Sequence, residues 1–200
     1  MNGLLSVWNK DGLIPFAEQL TELGYDLYSS GGTAQKIAEA GVAVNEIGIN
    51  ILDHRVATLV PEVHSGLLAQ PGIHDEEMTR RGFKYFDVVC VDLYPLKEAI
   101  ESGADEAEVI KKTDIGGPTM IRAAAKGRRL IICHPEQRQP LINWLRAGRP
   151  DEELVRQTLA MKAEKTVSRY VEESGEYLRR LIGAKWGGMS PISGALRDAA

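Results

Sequence analysis

One run of fourteen residues, Thr113-Asp114-Ile115-Gly116-Gly117-Pro118-Thr119-Met120-Ile121-Arg122-Ala123-Ala124-Ala125-Lys126, concentrates groups that could do chemistry. A carboxylate precedes a glycine pair, the pair precedes a proline, and an alanine-rich amphipathic run carries a lysine at its far end. Gly116 and Gly117 let backbone approach a ligand with no Cβ in the way. Pro118 suits the first turn of a helix, where its missing N–H costs nothing. Free N–H groups at a helix start, beside Asp114, favour polar chemistry. The same spacing also fits a plain loop entering a core helix, with Asp114 as an exposed cap. A second candidate is Ser30-Gly31-Gly32-Thr33, which follows a strand-like run and opens a helical one. Backbone N–H groups and the positive end of a helix would converge there on an anion. A tight strand-to-helix turn would read the same way. Residues 48–72 have no clean period, and a loop of that length inside a compact domain is often functional. It holds Asp53, His54, Arg55, Thr58 and His64.

The elements that must position these groups alternate. Strands are predicted near residues 3–8, 25–29, 43–47, 86–93 and 129–133. Helices are predicted over 13–23, from Thr33 to about Gly41, over 74–81, 95–102, 105–112, along the 113–126 stretch, over 136–146 and over 151–181. The apolar residues Leu13, Phe16, Ala17, Leu20 and Leu23 recur at helical spacing, and Gly24 stops that helix. Phe86-Asp87-Val88-Val89-Cys90-Val91-Asp92-Leu93 is the strongest buried strand, broken by Tyr94-Pro95. Such alternation predicts an α/β fold: one doubly wound domain with a five-stranded, mostly parallel sheet. Ligands of such sheets bind outside the carboxyl ends of the strands. Lys10, Ser30–Thr33, Tyr94 and Asp114 all follow predicted strands. Residues 1–184 form the expected domain, and 185–200, with Gly187-Gly188 and Pro191, a loosely ordered tail.

Two hundred residues, 44% hydrophobic and 26% charged, suit one domain with a substantial core. A net charge of -4 gives no general pull on nucleic acid or an anionic membrane. No apolar run approaches the roughly 20 residues of a membrane span, and the start MNGLLSVWNKDG lacks the pattern of a signal peptide. Cys90 and Cys133 lie in apolar runs and read as core thiols of a reducing, cytoplasmic compartment. The four histidines show no metal-ligand spacing, so no metal site is expected.

DIGGPTMIRAAAK resembles the signature of the IMP cyclohydrolase domain, the N-terminal half of the bifunctional enzyme that ends purine biosynthesis, with a methylglyoxal synthase-like fold. Leu5-Ser6-Val7 with Lys10, Ser30 to Ala34, Arg55-Val56, Thr58-Leu59 and Leu93-Tyr94-Pro95 match it in the family's order. The likeness covers roughly residues 3–182. It implies a ring closure in which the carboxamide nitrogen of a formamido-imidazole ribonucleotide attacks the formyl carbon and water leaves, with no cofactor. It implies that Ser30, Gly31, Gly32, Thr33 and Lys10 hold the 5′-phosphate, and that Ser6, Arg55, Thr58, Ile115, Gly116 and Gly117 face the nucleotide. Asp114 would orient the carboxamide or take its proton, Lys126 would support that charge, and Tyr94 would donate to the oxyanion. On residue type alone, Lys126 also reads as a solvated helix-end cation and Tyr94 as a core residue before a turn. His64 matches without a role and stays outside the catalytic set. The resemblance further implies a homodimer, and a formyltransferase supplied by a separate protein.

Departures gather at the presumed base pocket. Where the family reads Lys-Thr-Leu-His-Pro-Lys or close to it, this chain has Ala57-Thr58-Leu59-Val60-Pro61-Glu62. The lysine replaced by Ala57 counts among the family's catalytic residues. Trp8 stands where a small polar residue is expected, and Asp92 where an asparagine is. Three readings follow: a free-standing cyclohydrolase on the ordinary purine precursor; a specialised relative that cyclises or binds an analogous carboxamide heterocycle, such as a C-nucleotide of nucleoside natural-product biosynthesis; or a non-catalytic phosphate-ligand sensor.

Overall fold

The computed structural model describes residues 1–52 and 56–186. Its elements run β1 (Asn2–Ser6), α1 (Leu13–Glu22), β2 (Asp26–Ser29), α2 (Gly31–Glu39), β3 (Asn45–Glu46), α3 (Pro61–Leu68), α4 (Asp75–Arg81), β4 (Val88–Val91), α5 (Leu96–Glu101), α6 (Glu106–Lys112), α7 (Gly116–Lys126), β5 (Leu130–Ile132), α8 (Arg138–Arg146) and α9 (Glu152–Trp186). A 3-10 turn, Pro135–Gln137, leads into α8. Two compact units are formed by the described residues, Met1–Tyr94 with Asp114–Val167, and Pro95–Thr113 with residues 168–186. The first carries the sheet and every site residue discussed below.

The sheet has five strands in the order β3-β2-β1-β4-β5, and each neighbouring pair is parallel. The chain moves outward from β1 to β3, then returns to lay β4 on the other side of β1. That reversal between β1 and β4 opens a crevice at their carboxyl ends, the usual ligand position in doubly wound sheets. Successive strand side chains point to opposite faces. Val88 and Cys90 therefore join Phe16, Leu20 and Ile142 in one core cluster. Val89 and Val91 join Leu67, Met120, Ile121 and Val167 in the other. A strand covered on both faces must be apolar at every position, which is why Val88–Val91 reads as an unbroken run.

At the amino ends of the strands, away from the crevice, Asp87 collects two guanidinium groups and a phenol. Arg149 approaches it at 3.0 Å and Arg156 at 2.5 Å, and the Tyr25 hydroxyl donates to it at 2.8 Å. Burial raises the Asp87 pKa, but the bonds from Arg156, Tyr25 and Arg149 outweigh it, and the carboxyl lies below its ordinary value.

Two expectations need correction. The segment 48–72 is not one loop: it contains α3, eight residues long with Pro61 at its start. Two turns give little periodicity to detect, and Gly66 within them lowers helix propensity. That glycine is required, because a Cβ there would lie 2.5 Å from the Phe86 ring. The third strand shrinks to Asn45–Glu46, both exposed at the sheet edge. No helix among the described residues is long and apolar enough to cross a membrane.

Candidate functional site

The crevice between β1 and β4 is lined by the segments that leave them. Leaving β1, the turn is held by one residue of α2. Thr33 is buried; its hydroxyl donates to the Val7 carbonyl at 3.0 Å and accepts from the Val7 N–H at 3.2 Å. The Lys10 ammonium donates to the Thr33 hydroxyl at 3.0 Å and to the Val7 carbonyl. Burial lowers the Lys10 pKa, and Asp92 opposes that shift. Ser6 lies partly buried at the end of β1. Ser30 is the extended residue before α2, and its side chain makes no cap bond. The first N–H groups of α2 thus lack intrahelical partners. A Cβ at Gly31 or Gly32 would meet no described atom within 4 Å, and Gly31 has φ +53°, which glycine adopts without strain. Lys10, Ser30, Gly31, Gly32 and Thr33 therefore stand together around an open helix start.

The same turn is fastened from β4. Asp92 accepts the backbone N–H of Trp8, and that of Asn9 at 3.3 Å. Arg138 of α8 pairs with Asp92 at 3.4 Å, donates to the Asn9 carbonyl at 2.9 Å and reaches the Asp11 carbonyl. Burial raises the Asp92 pKa, while those N–H groups and Arg138 pull it back. Trp8, 52% exposed, lies against Tyr94, 43% exposed, with ring centroids 4.6 Å apart and planes at 38°. Tyr94 is thus no core residue. Sequence reasoning missed Arg138 altogether. The signal available was Asp92 itself, an acid that must find a counter-charge when a buried strand ends in it.

Across the crevice, Asp114 caps α7. Its carboxylate accepts from Gly117 N–H at 2.9 Å and from Gly116 N–H. Burial nonetheless raises its pKa, and nearby Asp92 adds to the rise. The glycine pair gives these groups room. A Cβ at Gly117 would lie 2.6 Å from Leu93 Cδ2 and 3.1 Å from Asp114 Cγ, and one at Gly116 2.9 Å from the Thr58 hydroxyl. Ile115, the residue between Asp114 and α7, is exposed.

Residues 57 and 58 join the two halves. Ile49 N–H donates to the Ala57 carbonyl at 2.9 Å, beside Gly48, whose Cβ would lie 3.9 Å from that of Ser30. Buried Thr58 meets Gly116. Ala57 therefore stands between the open start of α2 and Asp114. His64 donates to the Thr58 carbonyl; burial lowers its pKa, and its buried Nε2 has no partner among the described residues. Arg55, with Asp53 and His54, lies outside the described residues. Lys126 does not join the cluster. It is exposed at the other end of α7, about 15 Å along the axis from Gly116. Within one chain it is out of reach of Asp114.

Comparison with known proteins bears out the expected kinship. A family model described as MGS-like domain matches residues 12–119. Proteins named bifunctional purine biosynthesis protein PurH are similar over most of the chain. That of Leuconostoc mesenteroides is 41% identical over 185 residues, which are 88% of this chain and 36% of that protein. That of Aquifex aeolicus is 40% identical over 157 residues, 74% of this chain and 31% of that protein. The chain spans about a third of the length of these relatives. The crystal structure of a protein named ForH superposes with a TM-score of 0.76 at 30% identity, covering 88% of this chain and 95% of that one.

Proposed function

Because the chain belongs to the MGS-like domain family, with relatives among the PurH proteins, we propose that its crevice binds a ribonucleotide 5′-monophosphate and closes the second ring of a purine. The observation that carries this reading is the short link from the start of α2 to Asp114 through Ala57 and Thr58. It suits a ligand with an anion at one end and a polar heterocycle at the other. Lys10, Ser30, Gly31, Gly32 and Thr33 take the phosphate. Asp114 accepts a proton from the carboxamide nitrogen as that nitrogen attacks the formyl carbon. Tyr94 donates to the formyl oxygen, where negative charge develops. The new C–N bond closes the ring. The oxygen then leaves as water, with one proton from each of the two nitrogens. Bringing two groups of one molecule into contact supplies much of the acceleration. The cation that Ala57 lacks forgoes roughly 10²–10³ in rate, the scale of one preorganised donor.

The test follows ultraviolet absorbance while the formamido-imidazole carboxamide ribonucleotide turns over. Wild-type protein should give a slow rate, Asp114→Ala none, and Ala57→Lys a faster one. A wild-type rate no greater than buffer would end the reading. The rebuilt β1 turn, with the Trp8 N–H held by Asp92 and Asp92 held in turn by Arg138, favours a second reading: an analogous carboxamide heterocycle. Faster turnover of such a nucleotide than of the purine precursor would select it.

A further inference from the structure

On the premise that the ligand is a ribonucleotide, we propose that the Trp8 indole is the surface on which its planar base lies, so that the site takes a nucleotide in preference to a bare sugar phosphate. Trp8 is 52% exposed and its only ring neighbour among the described residues is Tyr94, itself 43% exposed. The pair therefore adds little to the core, and each ring keeps an open surface at the crevice between β1 and β4. The position is built rather than incidental. Asp92 holds the N–H groups of Trp8 and Asn9, and Arg138 holds both Asp92 and the Asn9 carbonyl. A turn fixed at that many points loses little freedom when a ligand arrives.

Spacing along the turn supplies the second argument. Trp8 follows Val7, whose carbonyl and N–H are tied to Thr33, and it precedes Lys10 by two residues. A phosphate held by Lys10 and the start of α2 leaves the rest of the ligand beside the indole. The partner ring, Tyr94, stands on the strand end that also presents Asp92. Every base has a π-face, so such a wall selects for a flat, stackable ring and disfavours a bare sugar phosphate.

Calorimetric titration with inosine 5′-monophosphate and with ribose 5-phosphate tests this in wild type, Trp8→Ala and Trp8→Phe. Stacking on an aromatic side chain predicts that Trp8→Ala weakens the nucleotide about 5- to 150-fold. Trp8→Phe should keep it within about 5-fold, because a ring remains. Ribose 5-phosphate should bind all three proteins alike. Equal weakening of both ligands by Trp8→Ala would make the indole a support of the phosphate turn and overturn the proposal. So would no weakening of either, while leaving the anion site intact. Wild-type protein that binds neither ligand would overturn the nucleotide premise and this inference together. Trp8→Phe guards against misfolding of the alanine variant, since a specific loss in alanine with rescue by phenylalanine is not what a collapsed turn produces.

Discussion

Gly117→Ala sets two ordinary effects against each other at the centre of the site. The residue lies in α7 with no left-handed backbone requirement, so alanine is conformationally allowed and should favour the helix by about 1 kcal/mol. Its Cβ, however, would lie 2.6 Å from Leu93 Cδ2 and 3.1 Å from Asp114 Cγ, against an ordinary contact of about 3.4 Å or more. Gly117 also donates the 2.9 Å hydrogen bond that holds the Asp114 carboxylate. The residue that holds the acid would then push it away. Overpacking costs about 1–3 kcal/mol and a hydrogen bond to a charged group about 1.5–3 kcal/mol. Partial relief by Leu93, whose side chain can turn, and the helix gain leave a net loss of about 1–3 kcal/mol. For a chain of this size that is a fall in Tm of about 3–10 °C. Displacing the carboxylate by about 1 Å should cost about 100-fold in the cyclisation rate. Thermal unfolding by circular dichroism and the absorbance assay measure the two effects. Gly32→Ala is the control, because its Cβ would meet no described atom within 4 Å, and its Tm should stay within about 2 °C of wild type. A Gly117→Ala protein as stable and as active as wild type would show that the Gly117–Asp114 contact does not govern the acid.

Lys10→Ala should weaken a nucleoside monophosphate far more than the matching nucleoside, by about 10-fold or more, in parallel calorimetric titrations; equal loss for both would move the phosphate elsewhere. Asp87→Asn should destabilise the fold by about 2–3 kcal/mol at neutral pH, since it leaves Arg149 and Arg156 short of a partner in a partly exposed setting. The folded carboxyl titrates below its ordinary value, so its stabilisation is complete above the unfolded pKa of about 4 and is lost as pH falls through the folded one. Denaturant curves for wild type and Asp87→Asn should therefore converge below about pH 4, and a gap that widens there would reverse the sign of the argument.

Much of the architecture was legible because its signals are local. Phe86–Leu93 reads as a buried strand from its own apolar run, and the 113–126 stretch as a capped helix from its glycines, proline and alanines. Alternation of such pieces is enough to imply a parallel, doubly wound sheet, and the Gly-Gly turn between β2 and α2 is visible for the same reason. The short helix α3 escaped, since it offers only two turns of periodicity, and β3 was placed but drawn too long, since only two of its residues pair.

Convergence was the part that the one-dimensional pattern could not hold. Sequence alone named Asp92 as a departure, but its partners Trp8 and Arg138 lie 84 and 46 residues away. Only the strand order, which sets β4 beside β1, brings them onto one turn. The same limit applies in reverse to Lys126, which shares a motif with Asp114 yet stands at the opposite end of α7. A helix advances about 1.5 Å per residue, so a compact motif in sequence becomes a long separation in space. Residue types and caps determined the elements and the candidate groups; the β1–β4 reversal decided which of those groups meet, because adjacency across a sheet depends on strand order and not on distance along the chain.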